Sequence, residues 1–255
     1  MQHRHGRVVF IGAGPGDADL ITLRGARLLA QAEVVLYDAL TDPALRELGP
    51  QARWVNVGKR GFCPSTGQAS IDAMLVHLAR QHRLVVRLKG GDPSVFGRLE
   101  EELAALAACG IESEVVPGIT AALAAAADTR RPLTRRGSGR SVSLSTAMTR
   151  EGELRSSRSA DTEVFYMAGR QLAKLGRRLR GAGWPPDTSV QVVSRAGCAD
   201  RLASDHRLSD LAAAALLHAG RPTVVTVGAG AAPVVCMPKQ TAREGHVEAT
   251  GDTPA

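Results

Sequence analysis

The sequence has 255 residues, of which 44% are hydrophobic, 22% charged and only 3% aromatic, so the cores of one large or two modest globular units must be built from Ala, Leu and Val. No apolar run approaches the roughly 20 residues that a bilayer span needs, and Met1-Gln2-His3-Arg4-His5-Gly6-Arg7 lacks the apolar stretch of a secretion signal, so a cytoplasmic protein with no membrane partner is expected. The formal net charge of +7 gathers in the middle of the chain, where residues 130–180 carry 13 Lys or Arg against 4 Asp or Glu, a field that would attract a polyanion.

After a flexible N-terminus at 1–7, Val8-Val9-Phe10-Ile11 is a short β-branched run ending at a glycine-rich turn, as buried parallel strands do. Apolar residues at Leu20, Leu23, Ala26, Leu28, Leu29 and Ala32 predict a helix over 19–32. A strand over 34–37, a helix over 68–79, a strand over 84–88 and a helix over 99–108 stopped by Gly110 follow. Val115-Val116 then reads as a strand and 119–127 as an Ala-rich helix. Strand and helix alternating with short connections predict a mostly parallel sheet covered on both faces. The alternation pauses over 129–139, where Arg, Pro, Gly and Ser cluster, and this marks a boundary between an N-terminal domain at 8–133 and a C-terminal domain at 134–237. In the second domain, strands are expected at 141–145, 164–167, 190–193 and 223–227, with helices at 172–179 and 211–217. The polar stretch 238–255 reads as a disordered tail. The fold class is therefore α/β with two α/β domains.

Three loops carry the chemistry, each after a predicted strand and so at the carboxyl edge of one sheet, where open α/β folds bind ligands. Gly12-Ala13-Gly14-Pro15-Gly16-Asp17 looks like a dinucleotide fingerprint, but Pro15 has no N–H to aim at a phosphate; a nucleoside without phosphate suits the loop better. In Arg87-Leu88-Lys89-Gly90-Gly91-Asp92-Pro93-Ser94-Val95-Phe96-Gly97-Arg98, Gly90 and Gly91 let the chain wrap a ligand and Asp92 offers a carboxylate. Pro117-Gly118-Ile119-Thr120-Ala121 opens the Ala-rich helix, whose free N–H groups and Thr120 hydroxyl could meet an amino-acid carboxylate. Cys63, Cys109, Cys198 and Cys236 form no Cys-x-x-Cys pair and no histidines sit at His-x-x-x-His spacing, so neither a metal site nor a disulfide framework is expected. Nucleic-acid motifs are missing, and no nucleic-acid partner is expected.

These loops, together with Tyr37-Asp38-Ala39-Leu40, Gly58-Lys59-Arg60 and Pro132-Leu133-Thr134, occur in the order found in the tetrapyrrole methylase family, which the chain resembles over roughly residues 8 to 230. The resemblance is narrowest to the branch that methylates uroporphyrinogen III at C2 and then C7, on the way to sirohaem or cobalamin. It implies two α/β domains with S-adenosylmethionine held in the cleft between them, S-adenosylhomocysteine as product, a tetrapyrrole substrate and a homodimer. Carried over residue by residue, Pro15, Gly90, Gly91, Asp92, Val95, Thr120 and Ala121 would contact the cofactor, joined by Met167 and Ala196 from the second domain. Asp38 and Lys59 fall at the family's proposed acid–base positions. Asp38 also stands where an acidic residue holds ribose in dinucleotide folds, and Lys59 could equally pair with a substrate carboxylate. The eight carboxylates of uroporphyrinogen give Lys59, Arg60 and Arg98 a natural partner.

The chain departs from the family pattern at Arg135, which replaces a His after Pro-Leu-Thr, at Thr146-Ala147-Met148 in place of Thr-Gly-His, at Leu99-Glu100 in place of Gly-Gly, and at Val227-Gly228-Ala229-Gly230, with no acidic residue after Gly228. These positions bear on substrate contacts in the second domain more than on the cofactor loops. Two other readings stay open on sequence alone: a methylase of a later precorrin, and a basic RNA-binding protein on the same fold.

Overall fold

The computed structural model describes residues 6–58, 67–147 and 158–234. Lys59, Arg60, Cys63, Met148, Cys236 and the 238–255 segment lie outside the described residues. The first half is a five-stranded sheet, ordered β3-β2-β4-β1-β5 and parallel throughout, made of β1 (Arg7–Gly12), β2 (Val34–Tyr37), β3 (Arg53–Asn56), β4 (Leu84–Lys89) and β5 (Ser113–Val116). Because side chains alternate along a strand, Val9 and Ile11 of β1 face one layer while Val8 and Phe10 face the other, and all four are fully buried. Leu29 of α1 (Leu23–Leu29) and Leu45 of the 3-10 segment Pro43–Leu48 cover the first face; Ile71 and Leu75 of α2 (Gln68–Ala79) and Leu106 of α3 (Leu99–Ala108) cover the second.

The expected helix over 19–32 is in fact a 3-10 turn, Ala18–Leu20, and the shorter α1, whose Thr22 side chain caps the N–H of Gly25. Two strands without a sequence expectation appear, β3 and β9 (Leu202–Arg207), and each lies at an edge of its sheet.

The second half contains a five-stranded sheet ordered β6-β7-β10-β8-β9, from β6 (Val142–Thr146), β7 (Thr162–Tyr166), β8 (Ser189–Ser194), β9 and β10 (Thr223–Gly228). Only the β6–β7 pairing is parallel; the others are antiparallel. One face is covered by α5 (Leu172–Gly181), the 3-10 segment Leu208–Ala213, α6 (Ala214–Leu217) and Trp184. The opposite face meets α4 (Ala121–Thr129): Ala122 packs with Val164, Tyr166 and Val224, and Ala124 and Ala125 pack with Val193 and Ala196. The alanines of α4 let the helix lie close on this sheet, and the space left beside it is a cleft between the two halves.

Candidate functional site

The site forms where β1 and β4 lie side by side in the first sheet. The chain leaves β1 towards α1 on one face and β4 towards α3 on the other, so the two loops part and leave a crevice at the strands' carboxyl ends. The loops are fastened to each other by backbone. Gly14 and Gly91 exchange hydrogen bonds, the N–H of Gly91 donating to the Gly14 carbonyl at 2.7 Å and that of Gly14 to the Gly91 carbonyl at 3.3 Å. The loop after β5 fits so closely that a Cβ on Gly118 would lie 2.3 Å from the Gly91 carbonyl oxygen and 2.7 Å from the Gly12 Cα, so glycine is required there. Asp92 ties the arrangement together: its Oδ1 accepts from the Ser94 N–H and its Oδ2 from the Gly118 N–H, each at 2.8 Å. Gly91, at φ +72°, has the Ile119 carbonyl oxygen and the Thr120 Cα each 3.9 Å from where its Cβ would stand, so a side chain there would make ordinary contacts but start from a strained backbone.

The far wall comes from the second half, from Tyr166-Met167 after β7, Arg195-Ala196 after β8, and Pro222-Thr223-Val224 at the start of β10. Together the two walls enclose about 260 Å³. Tyr166 crosses the gap, its phenol 2.8 Å from the Thr120 hydroxyl and its ring centroid 5.0 Å from that of Phe96. Burial raises the pKa of Tyr166 above its usual value, so the phenol stays protonated. Phe96, Met167 and Arg195 all line the cleft with positive φ, between 52° and 57°, the kind of backbone strain that accumulates around binding sites.

Pro15, Gly90, Gly91, Asp92, Val95, Thr120 and Ala121 all line this cleft from the first half, and Met167 and Ala196 line it from the second. The structure thus brings together in one place the nine residues expected at the cofactor, and Asp38, expected at an acid–base position, lines the same cleft. Arg98 is not one of them: it precedes α3, half exposed, and its Nε donates to Glu101 at 2.7 Å. Lys59 and Arg60 fall outside the described residues. Arg135 lies away from the cleft, where its guanidinium donates to the carbonyls of Ala232 and Pro233.

Sequence reasoning did not single out Lys89, Phe96, Tyr166 or Arg195 as cleft residues. It also missed a buried charge network behind the cleft. Arg87, at 3% exposure, donates from NH2 to Asp38 at 2.6 Å and from Nε to Glu102 at 3.0 Å, and Lys89 donates to the other Glu102 oxygen at 2.6 Å. Glu102 is fully buried on α3, where a charge is tolerated only when paired. Burial opposes the Arg87 charge, but the carboxylates of Asp38 and Glu102 outweigh it and raise the pKa. For Lys89 the balance goes the other way: burial, and then the Arg87 charge, lower the pKa despite Glu102. Asp38 therefore faces the cleft with its carboxylate fixed, and Lys89 is a second titratable group on the same wall.

The cleft's chemistry fits an amino-acid nucleoside better than a phosphate ester. Gly14 spends its N–H on Gly91 and Pro15 has none, so at these positions the first loop offers no phosphate cradle. Val95, Phe96, Met167, Val193 and Val224 supply apolar surface for a base and sugar. No group of three or more metal-ligating side chains occurs among the described residues, and no helix among them is long and apolar enough to cross a membrane.

Comparison with known proteins agrees with this geometry. Residues 7–212 match the family described as tetrapyrrole (corrin/porphyrin) methylases. The uroporphyrinogen-III C-methyltransferase of Pseudomonas aeruginosa is 41% identical over 242 residues, covering 91% of this chain and 97% of that protein. The siroheme synthase of Hydrogenovibrio crunogenus is 43% identical over 194 residues, but the match spans only 41% of its length. Among solved structures, the uroporphyrin-III C-methyl transferase of Thermus thermophilus, complexed with S-adenyl homocysteine, superposes with a TM-score of 0.77 at 36% identity, covering 88% of this chain and 97% of that one.

Proposed function

The chain belongs to the tetrapyrrole methylase family, and from that premise we propose that it is a uroporphyrinogen-III C-methyltransferase, transferring methyl groups from S-adenosylmethionine to C2 and then C7 of uroporphyrinogen III to give precorrin-2, for sirohaem or cobalamin synthesis. The observation that carries the reading is the convergence of three backbone-fastened loops and the second-half wall on one cleft, in a chain that matches the Pseudomonas enzyme over nearly the full length of both.

S-adenosylmethionine supplies a methyl group on a sulfonium, an electrophile that needs no metal. The pyrrole carbon is already nucleophilic, so the protein's contribution is orientation and exclusion of water. Pro15, Gly90, Gly91 and Ala121 shape the nucleoside's space, Asp92 keeps the loops in register, and Met167 and Ala196 close the far side. Asp38, held by Arg87, faces the cleft and stabilises positive charge as it develops on the macrocycle. The resemblance assigns acid–base work to Asp38 and Lys59, and carboxylate contacts to Arg60 and Arg98. The reading also includes two functional domains at 8–133 and 134–237, a cytoplasmic location and a homodimer, the last testable by light scattering.

Anaerobic incubation with S-adenosylmethionine and freshly prepared uroporphyrinogen III, followed by mass spectrometry, is the direct test. A gain of two methyl groups is expected. A protein that binds S-adenosylhomocysteine yet leaves uroporphyrinogen III unmethylated would instead belong with methylases of later precorrins.

A further inference from the structure

Pro15 and Ala196 line opposite walls of the cleft, and the residues that follow them, Gly16-Asp17 and Gly197, meet backbone to backbone. The Asp17 N–H donates to the Gly197 carbonyl at 2.8 Å. A Cβ on Gly16 would stand 2.2 Å from that carbonyl oxygen and 2.7 Å from Cys198 Sγ, so Gly16 has no room for a side chain. A Cβ on Gly197 would stand 3.0 Å from both Pro15 Cγ and Leu20 Cδ1, and at φ +75° it would also start from a strained backbone.

The turn that presents Gly197 needs holding. Arg195, at φ +52°, lies in the left-handed region, which is costly for a residue with a side chain and persists only where the surroundings impose it. The turn's own closing hydrogen bond, from the Cys198 N–H to the Arg195 carbonyl, is 3.0 Å long. The outside hold comes from Asp128 in the last turn of α4. Its Oδ2 accepts the Gly197 N–H at 2.7 Å, while its Oδ1 stands 3.6 Å from Arg201. Both polar groups of Gly197 are thus engaged, the N–H by α4 and the carbonyl by the first loop. Neither Asp128 nor Gly197 lines the cleft itself.

Resting on the methyltransferase reading, we propose that Asp128 is a positioning residue for S-adenosylmethionine: by holding Gly197 against the first loop it fixes the gap between Pro15 and Ala196, and so sets how tightly the cleft grips the nucleoside. A ligand pressed between two walls is sensitive to their spacing. A radial gap of roughly 0.5–1 Å already forfeits a quarter to a half of the dispersion attraction on the side that withdraws. Asp128 gives the cleft its spacing before the ligand arrives, so binding does not have to order the wall.

The test separates a bond from a charge, and affinity from stability. Asp128→Ala removes the acceptor. The Kd for S-adenosylhomocysteine, by calorimetry, and the KM for S-adenosylmethionine should each rise about tenfold, the effect of losing one hydrogen bond to a charged group, while kcat at saturating S-adenosylmethionine falls by less. Asp128→Asn loses the charge near Arg201 but keeps an amide oxygen for the Gly197 N–H, and should restore the affinity. Gly16→Ala pushes the first loop off Gly197 by another route. Combined with Asp128→Ala it should weaken binding by less than the product of the two single effects, as two lesions of one contact do. Wild-type affinity in Asp128→Ala, an Asp128→Asn variant as weak as the alanine, or fully multiplicative effects in the double variant would each overturn the assignment; the first of these would leave Asp128 a structural tie that only a thermal melt detects. If Asp128→Ala does not fold, Asp128→Ser, whose shorter side chain stops short of Gly197, takes its place. A wild type that binds no S-adenosylhomocysteine would refute the cofactor reading itself, so the two failures are distinguishable.

Discussion

The Thr120 hydroxyl and the Tyr166 phenol meet at 2.8 Å across the cleft, joining the start of the last helix of the first half to the end of a strand in the second. Tyr166→Phe keeps the ring tilted against Phe96 but leaves the Thr120 hydroxyl without this partner. A loss of about 1 kcal/mol in stability is expected, the usual worth of one such bond, with a weakening of S-adenosylhomocysteine binding because the bond forms part of the cleft wall. Thermal melts and calorimetry on this single variant check both; unchanged affinity would mean that the pair is only a structural tie.

Asp92 and Gly91 separate two ways of losing the cofactor site. Asp92→Ala removes the acceptors for the N–H groups of Ser94 and Gly118, so the second and third loops should drift apart and affinity for S-adenosylhomocysteine should fall by at least about tenfold, the effect of losing one to two hydrogen bonds. Gly91→Leu leaves those bonds in place but puts a side chain beside Ile119 and Thr120 on the cleft wall, from a backbone at φ +72°, and should block binding sterically. Titration calorimetry with both proteins still folded by circular dichroism is the measurement.

Asp38→Asn tests charge without changing shape. If the Asp38 carboxylate stabilises the developing macrocyclic cation, kcat should drop by roughly a hundredfold or more while S-adenosylhomocysteine affinity stays within a fewfold. Strong loss of affinity would instead mark Asp38 as a ribose ligand. The substitution also leaves buried Arg87 with Glu102 as its sole described carboxylate partner, so some loss of stability accompanies it.

His218 gives the protein a stability that depends on pH. It is fully buried, its Nδ1 2.7 Å from the Ser194 hydroxyl and its Nε2 2.8 Å from that of Ser204. Burial, with His206 and Arg221 nearby, lowers its pKa below the usual histidine value. A lowered folded-state pKa contributes stability that is present above the unfolded value, about 6.5, and is lost as pH falls through the folded one. Denaturant melts should therefore show stability declining from neutral to mildly acidic pH. In His218→Gln that decline should flatten, and an unaltered slope would assign the effect to other groups.

How much of this was legible in the sequence depended on what each residue had to satisfy. The helices over 68–79 and 99–108 were expected with the bounds they have, because one face of each meets a core. The loops that line the cleft were legible too, because a backbone approach as close as that of Gly118 to Gly91 admits glycine alone. The strands β3 and β9 were not. Each is an edge strand with no fully buried run, and β9 alternates between partly buried and exposed along its length, as edges that must resist further pairing tend to do. Nor could the sequence reveal Glu102, which sits last in the run Glu100-Glu101-Glu102. Only the placement of α3 against β4 decides which of the three carboxylates is taken out of water. Tyr166 and Arg195 reach the cleft from the second sheet, where only the adjacent Met167 and Ala196 were expected, and those through the resemblance rather than through any local signal.

The alanine face of α4 has a bearing on how the molecule comes apart. By chain order the helix completes the first half, yet Ala122, Ala124 and Ala125 find their neighbours on the second sheet, and Asp128, one turn further on, accepts the N–H of Gly197 at 2.7 Å. Neither half can be excised without stripping this helix of its packing on one side. Unfolding should accordingly be a single cooperative event, with far-ultraviolet signal and the fluorescence of Trp54 and Trp184, one in each half, lost at the same denaturant concentration. On that expectation the cleft behaves as a groove within one cooperative unit, with Ala121 of α4 on its wall.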